Sequence, residues 1–123
     1  MENTPCQKVI KMGIDVDIKK TVIQASKAYA DIMSHNDSLF LERIYSNGLE
    51  KYKERLQSIS FIGNKCVLDA GCGYGQWSLA LAELNENVQS CDISENRVYF
   101  LQDLINKLSI TNLNLTVSGI ESL

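Results

Sequence analysis

Two carboxylates bracket the chemically richest part of this sequence. Asp69 closes the short apolar run Cys66-Val67-Leu68, and Asp92 closes a second run from Val88 to Cys91. Between them glycine falls at every second position, at Gly71, Gly73 and Gly75, with Cys72 and Tyr74 interleaved. Glycines let a backbone turn tightly and approach a ligand with no Cβ in the way. The helix that follows such a loop presents unpaired N–H groups at its first turn. A carboxylate ending the next parallel strand can accept hydrogen bonds from both hydroxyls of a ribose. Together these residues point to recognition of a nucleoside-like ligand. The elements that must position them are legible too. The first run, over 65–70, has the length and composition of a buried parallel strand, and the run from Val88 to Cys91 is placed as the next parallel strand. Trp77, Ala80, Leu81 and Leu84 fall at helical spacing between them and supply one apolar face to lie on a sheet. The order is strand, glycine loop, helix, strand, which is one βαβ unit.

Two cofactor classes use such a unit. Dinucleotide binding reads G-x-G-x-x-G, with its third glycine at the sixth position. Here the sixth position is Gln76, and the third glycine comes one residue early, at Gly75. Asp69 also precedes the loop, where its charge would repel a pyrophosphate. An NAD-dependent oxidoreductase fragment is therefore the weaker reading. A ligand with a positive end and no phosphate fits better, as in S-adenosylmethionine with its sulfonium and ammonium groups.

The segment Val67-Leu68-Asp69-Ala70-Gly71-Cys72-Gly73-Tyr74-Gly75 resembles the first motif of class I S-adenosylmethionine-dependent methyltransferases. Cys91-Asp92-Ile93-Ser94 is similar to that family's ribose-binding strand end, and Val117 to Leu123 to its third strand and adenine-contacting turn. The resemblance runs from about Lys65 to Leu123. It implies an α/β, Rossmann-like class I methyltransferase fold, truncated after the third parallel strand and preceded by helices. It also implies S-adenosylmethionine as the cofactor. Gly71, Cys72, Gly73 and Gly75 would pack against its methionine portion, and Asp69 would hold the ammonium group. Asp92 would take the ribose hydroxyls, Ile93 would lie against the adenine, and Ile120 would offer backbone groups to it. The family often has an acid in the turn after strand three, and Gly119 stands at that place. No catalytic residue is assigned, and the acceptor is not named. A fragment of this extent is expected to be inactive by itself, either as part of a longer chain or as one half of an assembly. A non-catalytic S-adenosylmethionine-binding or assembly module is the alternative. In the family's strand order strand one is central and pairs with strands two and four; without strand four Val67-Leu68 would lie on an exposed edge, which predicts self-association or poor solubility.

Composition fits an ordinary globular domain: 45% hydrophobic, 22% charged, with net charge -3 from 12 basic and 15 acidic residues. No basic cluster marks a nucleic-acid footprint. No apolar run approaches the ~20 residues of a membrane-spanning helix, and the N-terminus lacks the apolar segment of a secretory signal. Cysteines at 6, 66, 72 and 91 form no C-x-x-C pair and are joined by a single histidine, so no metal site is expected. Reduced thiols and a cytoplasmic location are the corresponding expectation.

Three divisions follow: a tail or short hairpin over 1–19, a helical cap over 20–60, and a partial S-adenosylmethionine-binding domain over 61–123. Period-two alternation of Ile14, Val16 and Ile18 supports the hairpin. A helix is expected from about Lys20 to His35, with Asn36-Asp37-Ser38 as the stop and the next N-cap. A second helical stretch runs from about Leu39 to Ile59, broken near Asn47-Gly48, with Phe40, Ile44, Tyr52, Leu56 and Ile59 buried. Tyr29, Tyr45 and Tyr52 read as core-edge residues, although the resemblance also offers them to an acceptor pocket. His35, at a helix end, reads as solvated or capping rather than as a general base. After Asp92, either Ser94 or Asp92 caps a helix whose Val98, Leu101, Ile105 and Leu108 face the sheet. Leu113, Leu115 and Val117 alternate as an edge strand.

Overall fold

A computed structural model of the chain describes residues 18–119 and 121. Its centre is a parallel sheet of β1 (Val67–Ala70), β2 (Val88–Asp92) and β3 (Leu113–Val117), in the order β1-β2-β3. Register fixes which side chains are buried. Val67, Val88 and Leu113 lie side by side in one row and are buried. The next row is Leu68, Gln89 and Asn114, which faces outward and is exposed. Helices α4 (Gln76–Leu84) and α5 (Glu95–Lys107) make the crossovers, and both contact the sheet.

Before the sheet come α1 (18–27), α2 (His35–Ile44) and α3 (Glu50–Ser58). They share one hydrophobic core with the βαβ unit. Ile18 and Val22 of α1, Leu41 of α2 and Leu56 of α3 belong to the same cluster as Leu79, Phe100 and Leu101. Burying a side chain of this kind contributes roughly 1.5–3 kcal/mol. Helix α3 is also joined to α4 by Tyr52, edge-on to Trp77 at 4.9 Å, and by Lys53, whose Nζ lies 3.3 Å from Glu83.

Several local expectations are corrected. The first helix ends at 27, and turns follow it. The N-cap of α2 is Ser34, not a residue within 36–38; its Oγ accepts the Asp37 N–H at 3.0 Å. The S-x-x-D spacing of Ser34 and Asp37 is a capping signature, and Asp37 stands in the first turn where the helix dipole favours it. Gly48, at φ 69°, makes the expected break between α2 and α3. Ile59 is 69% exposed because α3 ends at Ser58, so its side chain leaves the buried stripe. Phe40 is 40% exposed and tilts toward Tyr74 instead of entering the core. On α5, Phe100 and Leu104 are fully buried, whereas Leu108 only packs against the cluster's margin. Ile18 and Lys19 are helical rather than extended; the rest of the hairpin expected over 1–19 lies outside the described residues.

At the N-terminal ends of the strands two asparagines tie the connections together. Buried Asn85 accepts from the Asn64 N–H at 2.9 Å, and Asn112 donates to the carbonyls of Ala82 and Asn85. The opposite ends of the strands carry the glycine loop. Among the described residues no strand pairs with the outer edge of β1. No helix among them is long and apolar enough to cross a membrane.

Candidate cofactor-binding site

The loop 71–75 lies outside any helix and joins β1 to α4. Gly71, Gly73 and Gly75 all have positive φ, at 72°, 57° and 88°. That is the left-handed region, which side-chain-bearing residues rarely adopt. The loop is held against β2 at two points. Cys72 N–H donates to the Cys91 carbonyl at 2.8 Å, and Gly73 N–H donates to Asp92 Oδ2 at 2.8 Å. The other oxygen, Asp92 Oδ1, accepts the Ser94 N–H at 2.9 Å. Ser94 in turn is the N-cap of α5, its Oγ accepting from Arg97 N–H. Asp92 thus binds the loop and the start of α5 to the end of its strand. Each carboxylate oxygen has a second lone pair for a further donor.

Asp69 is fixed from the helix side. The buried Ser78 of α4 donates to Asp69 Oδ2 at 2.6 Å, and its Oγ lies 2.7 Å from that of Ser90 on β2. Since Ser78 spends its proton on Asp69, Ser90 is the donor of the second bond, giving a relay from Ser90 through Ser78 to Asp69. Burial pushes the Asp69 carboxyl above the usual carboxylate range, and the charge of Asp92 adds to this; the Ser78 hydrogen bond opposes it. The same surroundings act on Cys72, whose thiol is pushed up to about 12, chiefly by burial and then by Asp69 and Asp92. A thiol so placed stays protonated and is a poor nucleophile.

These shifts give a test of stability against pH. Folded Asp69 holds its proton more tightly than it does in the unfolded chain. Its contribution is therefore favourable at acid pH and is lost as pH rises from the ordinary aspartate value through the raised one. Asp69→Asn removes that loss while leaving Ser78 an acceptor. We expect the melting temperature of the variant, relative to the parent, to rise across that window and stay higher at neutral pH. Parallel melting curves for the two proteins at every pH would contradict this.

The structure therefore gathers Asp69, Gly71, Cys72, Gly73, Gly75 and Asp92 at the C-terminal ends of β1 and β2. Ile93 follows at once and is 80% exposed. Ile120 lies outside the described residues. His35 is exposed at the start of α2. Among the described residues, no group of three His, Cys, Asp or Glu side chains could hold a metal ion.

Four participants carry no assignment from the sequence: Ser78, Ser90, Ser118 and Glu121. Ser78 and Ser90 are invisible as a pair until strand register is known. Gly119 has no left-handed φ to justify it; a Cβ there would collide with the Glu121 carboxylate, which folds back into that space. Beside it, Ser118 N–H donates to the Asp92 carbonyl at 3.0 Å, and the buried Ser118 Oγ has no partner among the described residues. The only sequence signal for Glu121 is an acid two residues past an unexplained glycine.

Parallel strands in this order, a left-handed glycine loop opening a helix, and carboxylates ending consecutive strands define the class I methyltransferase architecture. The chain belongs to the TehB family: the family model described as tellurite resistance protein TehB matches residues 17–123. Among solved structures it is similar to an rRNA methylase from Streptococcus thermophilus, at 25% identity and TM-score 0.52, over 61% of this chain and 41% of that one. It shares its fold with an S-adenosylmethionine-dependent methyltransferase from Clostridium acetobutylicum, at 16% identity and TM-score 0.57, over 70% of this chain and 36% of that one. It also shares its fold with a putative methyltransferase from Streptococcus mutans in complex with SAH, at 24% identity and TM-score 0.50, over 60% and 42%. The chain thus spans less than half the length of each of these three proteins. No curated relative matches it at a significant level.

Proposed function

We propose that this chain is the cofactor-binding part of an S-adenosylmethionine-dependent methyltransferase that passes a methyl group to an acceptor. The observation that carries the reading is the convergence of Asp69 and Asp92 on one left-handed glycine loop, with Asp92 bonded directly to it. When bound, S-adenosylmethionine supplies an activated methyl group on a sulfonium. The work left to the protein is positioning and exclusion of water. Asp69, anchored by Ser78, receives the ammonium group directly or through one water. Gly71, Cys72, Gly73 and Gly75 present a backbone surface to the methionine portion. Asp92 takes the ribose hydroxyls on its remaining lone pairs. Ile93 offers an exposed apolar surface to the adenine, and Ile120 offers backbone groups. Glu121, seated in the space Gly119 leaves, supplies an acceptor for the adenine amino group. The helices of 20–60 act as a cap on the binding domain of 61–123. Two negative charges beside the loop disfavour a pyrophosphate, so NAD is expected to bind more weakly than S-adenosylmethionine. Calorimetric titration of both ligands tests this; tighter binding of NAD would overturn it.

A reducing, cytoplasmic compartment suits the chain: Cys72 and Cys91 are buried neighbours and both are free thiols. As a partner we propose a second copy. Among the described residues no strand pairs with the outer edge of β1, beside which Leu68 is 54% exposed, and such an edge is a template for another strand. Light scattering is expected to give a mass that rises with concentration for the parent and stays monomeric for Leu68→Lys. A concentration-independent monomer for both would refute the edge contact.

A further inference from the structure

We infer that Tyr45 is a positioning residue for the glycine loop, and that α2 sets the strength of the cofactor site through it. The inference rests on the cofactor reading above. Tyr74 is the residue between Gly73 and Gly75. Its carbonyl accepts a hydrogen bond from Tyr45 Oη at 2.7 Å, and Tyr45 is fully buried at the C-terminal end of α2. The Tyr74 side chain is held as well. Its hydroxyl donates to Asp37 Oδ2 at 3.0 Å, in the first turn of the same helix. Arg97 of α5 lies over its ring at 5.4 Å, and Phe100 meets the ring edge-on at 5.6 Å.

The physical need is plain. A segment with three left-handed glycines has many backbone conformations open to it. A ligand that meets the loop already fixed avoids the entropic cost of ordering it on binding. On the strand side the fixing groups are Asp92 and the Cys91 carbonyl. From the helices that precede the sheet the hydrogen bond to the loop backbone comes from Tyr45, while α4 takes up the Gly75 carbonyl through the Leu79 N–H. Removing the Tyr45 hydroxyl leaves the Tyr74 carbonyl without this donor, so the peptide that leads into Gly75 keeps only the bond from the Gly75 N–H to the Cys72 carbonyl at 3.0 Å, inside the loop itself.

The molecule contains its own control. Tyr52 is also buried, and its hydroxyl also donates to a backbone carbonyl at 2.7 Å, that of Ile44. That bond joins α3 to α2 and does not touch the loop. Tyr45→Phe and Tyr52→Phe therefore delete the same chemistry, and only the first deletes it at the loop. Both variants are expected to melt at lower temperature than the parent. At a temperature where all three proteins are folded, Tyr45→Phe should bind S-adenosylhomocysteine about tenfold more weakly, the scale of one lost buried hydrogen bond, with a less favourable binding entropy. Tyr52→Phe should bind it like the parent. Equal losses in the two variants, or no loss in Tyr45→Phe, would overturn the inference. Should Tyr45→Phe fail to fold, Tyr74→Phe, which loses the hydroxyl's contacts with Asp37 and Arg97, should weaken binding in the same direction, and unchanged affinity there counts against the claim. If the parent itself does not bind S-adenosylhomocysteine, the cofactor reading fails. The positioning role is then decided by amide exchange at Gly73 and Gly75: acceleration confined to Tyr45→Phe sustains it, and unchanged exchange defeats it.

Discussion

Asp92→Ala is expected to weaken S-adenosylhomocysteine binding by about a hundredfold or more and to lower stability as well. Its carboxylate accepts two backbone N–H bonds, from Gly73 at 2.8 Å and Ser94 at 2.9 Å, while the residue is buried. Hydrogen bonds to a charged group contribute about 1.5–3 kcal/mol each, and a buried donor left without its acceptor carries its own penalty of about 1–3 kcal/mol. Alanine removes both bonds together with the acceptors proposed for the ribose, so loop order and ligand contact fall at once. Asp92→Asn is the graded comparison. Its amide keeps one acceptor and turns a donor toward the other N–H, so the variant should lie between parent and alanine in both melting temperature and affinity. Calorimetry that finds alanine and parent equal in affinity would remove Asp92 from the site.

The second large effect is expected at Gly75, and it concerns stability first. Gly75 is the N-cap of α4 at φ 88°, and a Cβ there would lie 2.7 Å from Leu101 Cδ2 and collide with Cδ1 as well. Leu101 is itself fully buried on α5. An L-residue in the left-handed region costs about 1–2 kcal/mol, and overpacking a filled core costs about 1–3 kcal/mol more. Gly75→Ala should thus destabilise the fold by about 2–5 kcal/mol, a large share of the roughly 5–15 kcal/mol available to a domain. Gly71 and Gly73 are left-handed too, but nothing lies within 4 Å of a Cβ built on either. Gly71→Ala and Gly73→Ala should therefore cost only the conformational part, about 1–2 kcal/mol. Denaturant unfolding of the three variants checks the ranking. Three equal losses would mean that the Leu101 contact relaxes freely.

The contrast between these residues explains what was legible in the sequence. Strand ends at Asp69 and Asp92 are local facts: an apolar run, a turn residue and a charge. So is the glycine spacing, because backbone conformation imposes it directly. The face of α4 was legible only in part: Ala80 and Leu81 are buried as expected, but Trp77 meets Tyr52 of α3 and it is Ser78 that reaches β1 and β2. What the sequence left hidden depends on register and on distant packing. Ser78 reaches Asp69 and Ser90 only once α4 lies across β1 and β2. Tyr45 reads as one more core tyrosine until α2 brings its hydroxyl to the Tyr74 carbonyl. Glu121 gains meaning only from the way the turn after β3 folds its carboxylate over Gly119. The errors have a similar origin. Ile59 and Phe40 fit a helical stripe, but the ends of α3 and the docking of α2 against Tyr74 decide which way they point. The S-x-x-D spacing of Ser34 and Asp37 signals the cap, but the polar cluster at 36–38 carries the same residue types one turn later.

The most direct measurement is a titration of the parent protein with S-adenosylhomocysteine, followed residue by residue in its backbone amide spectrum. The account predicts saturable shifts concentrated at 69–75 and 92–94, with Gly73 and Ser94 among the most affected because Asp92 holds both. Absence of saturable shifts, or shifts confined to residues away from the ends of β1 and β2, would contradict it.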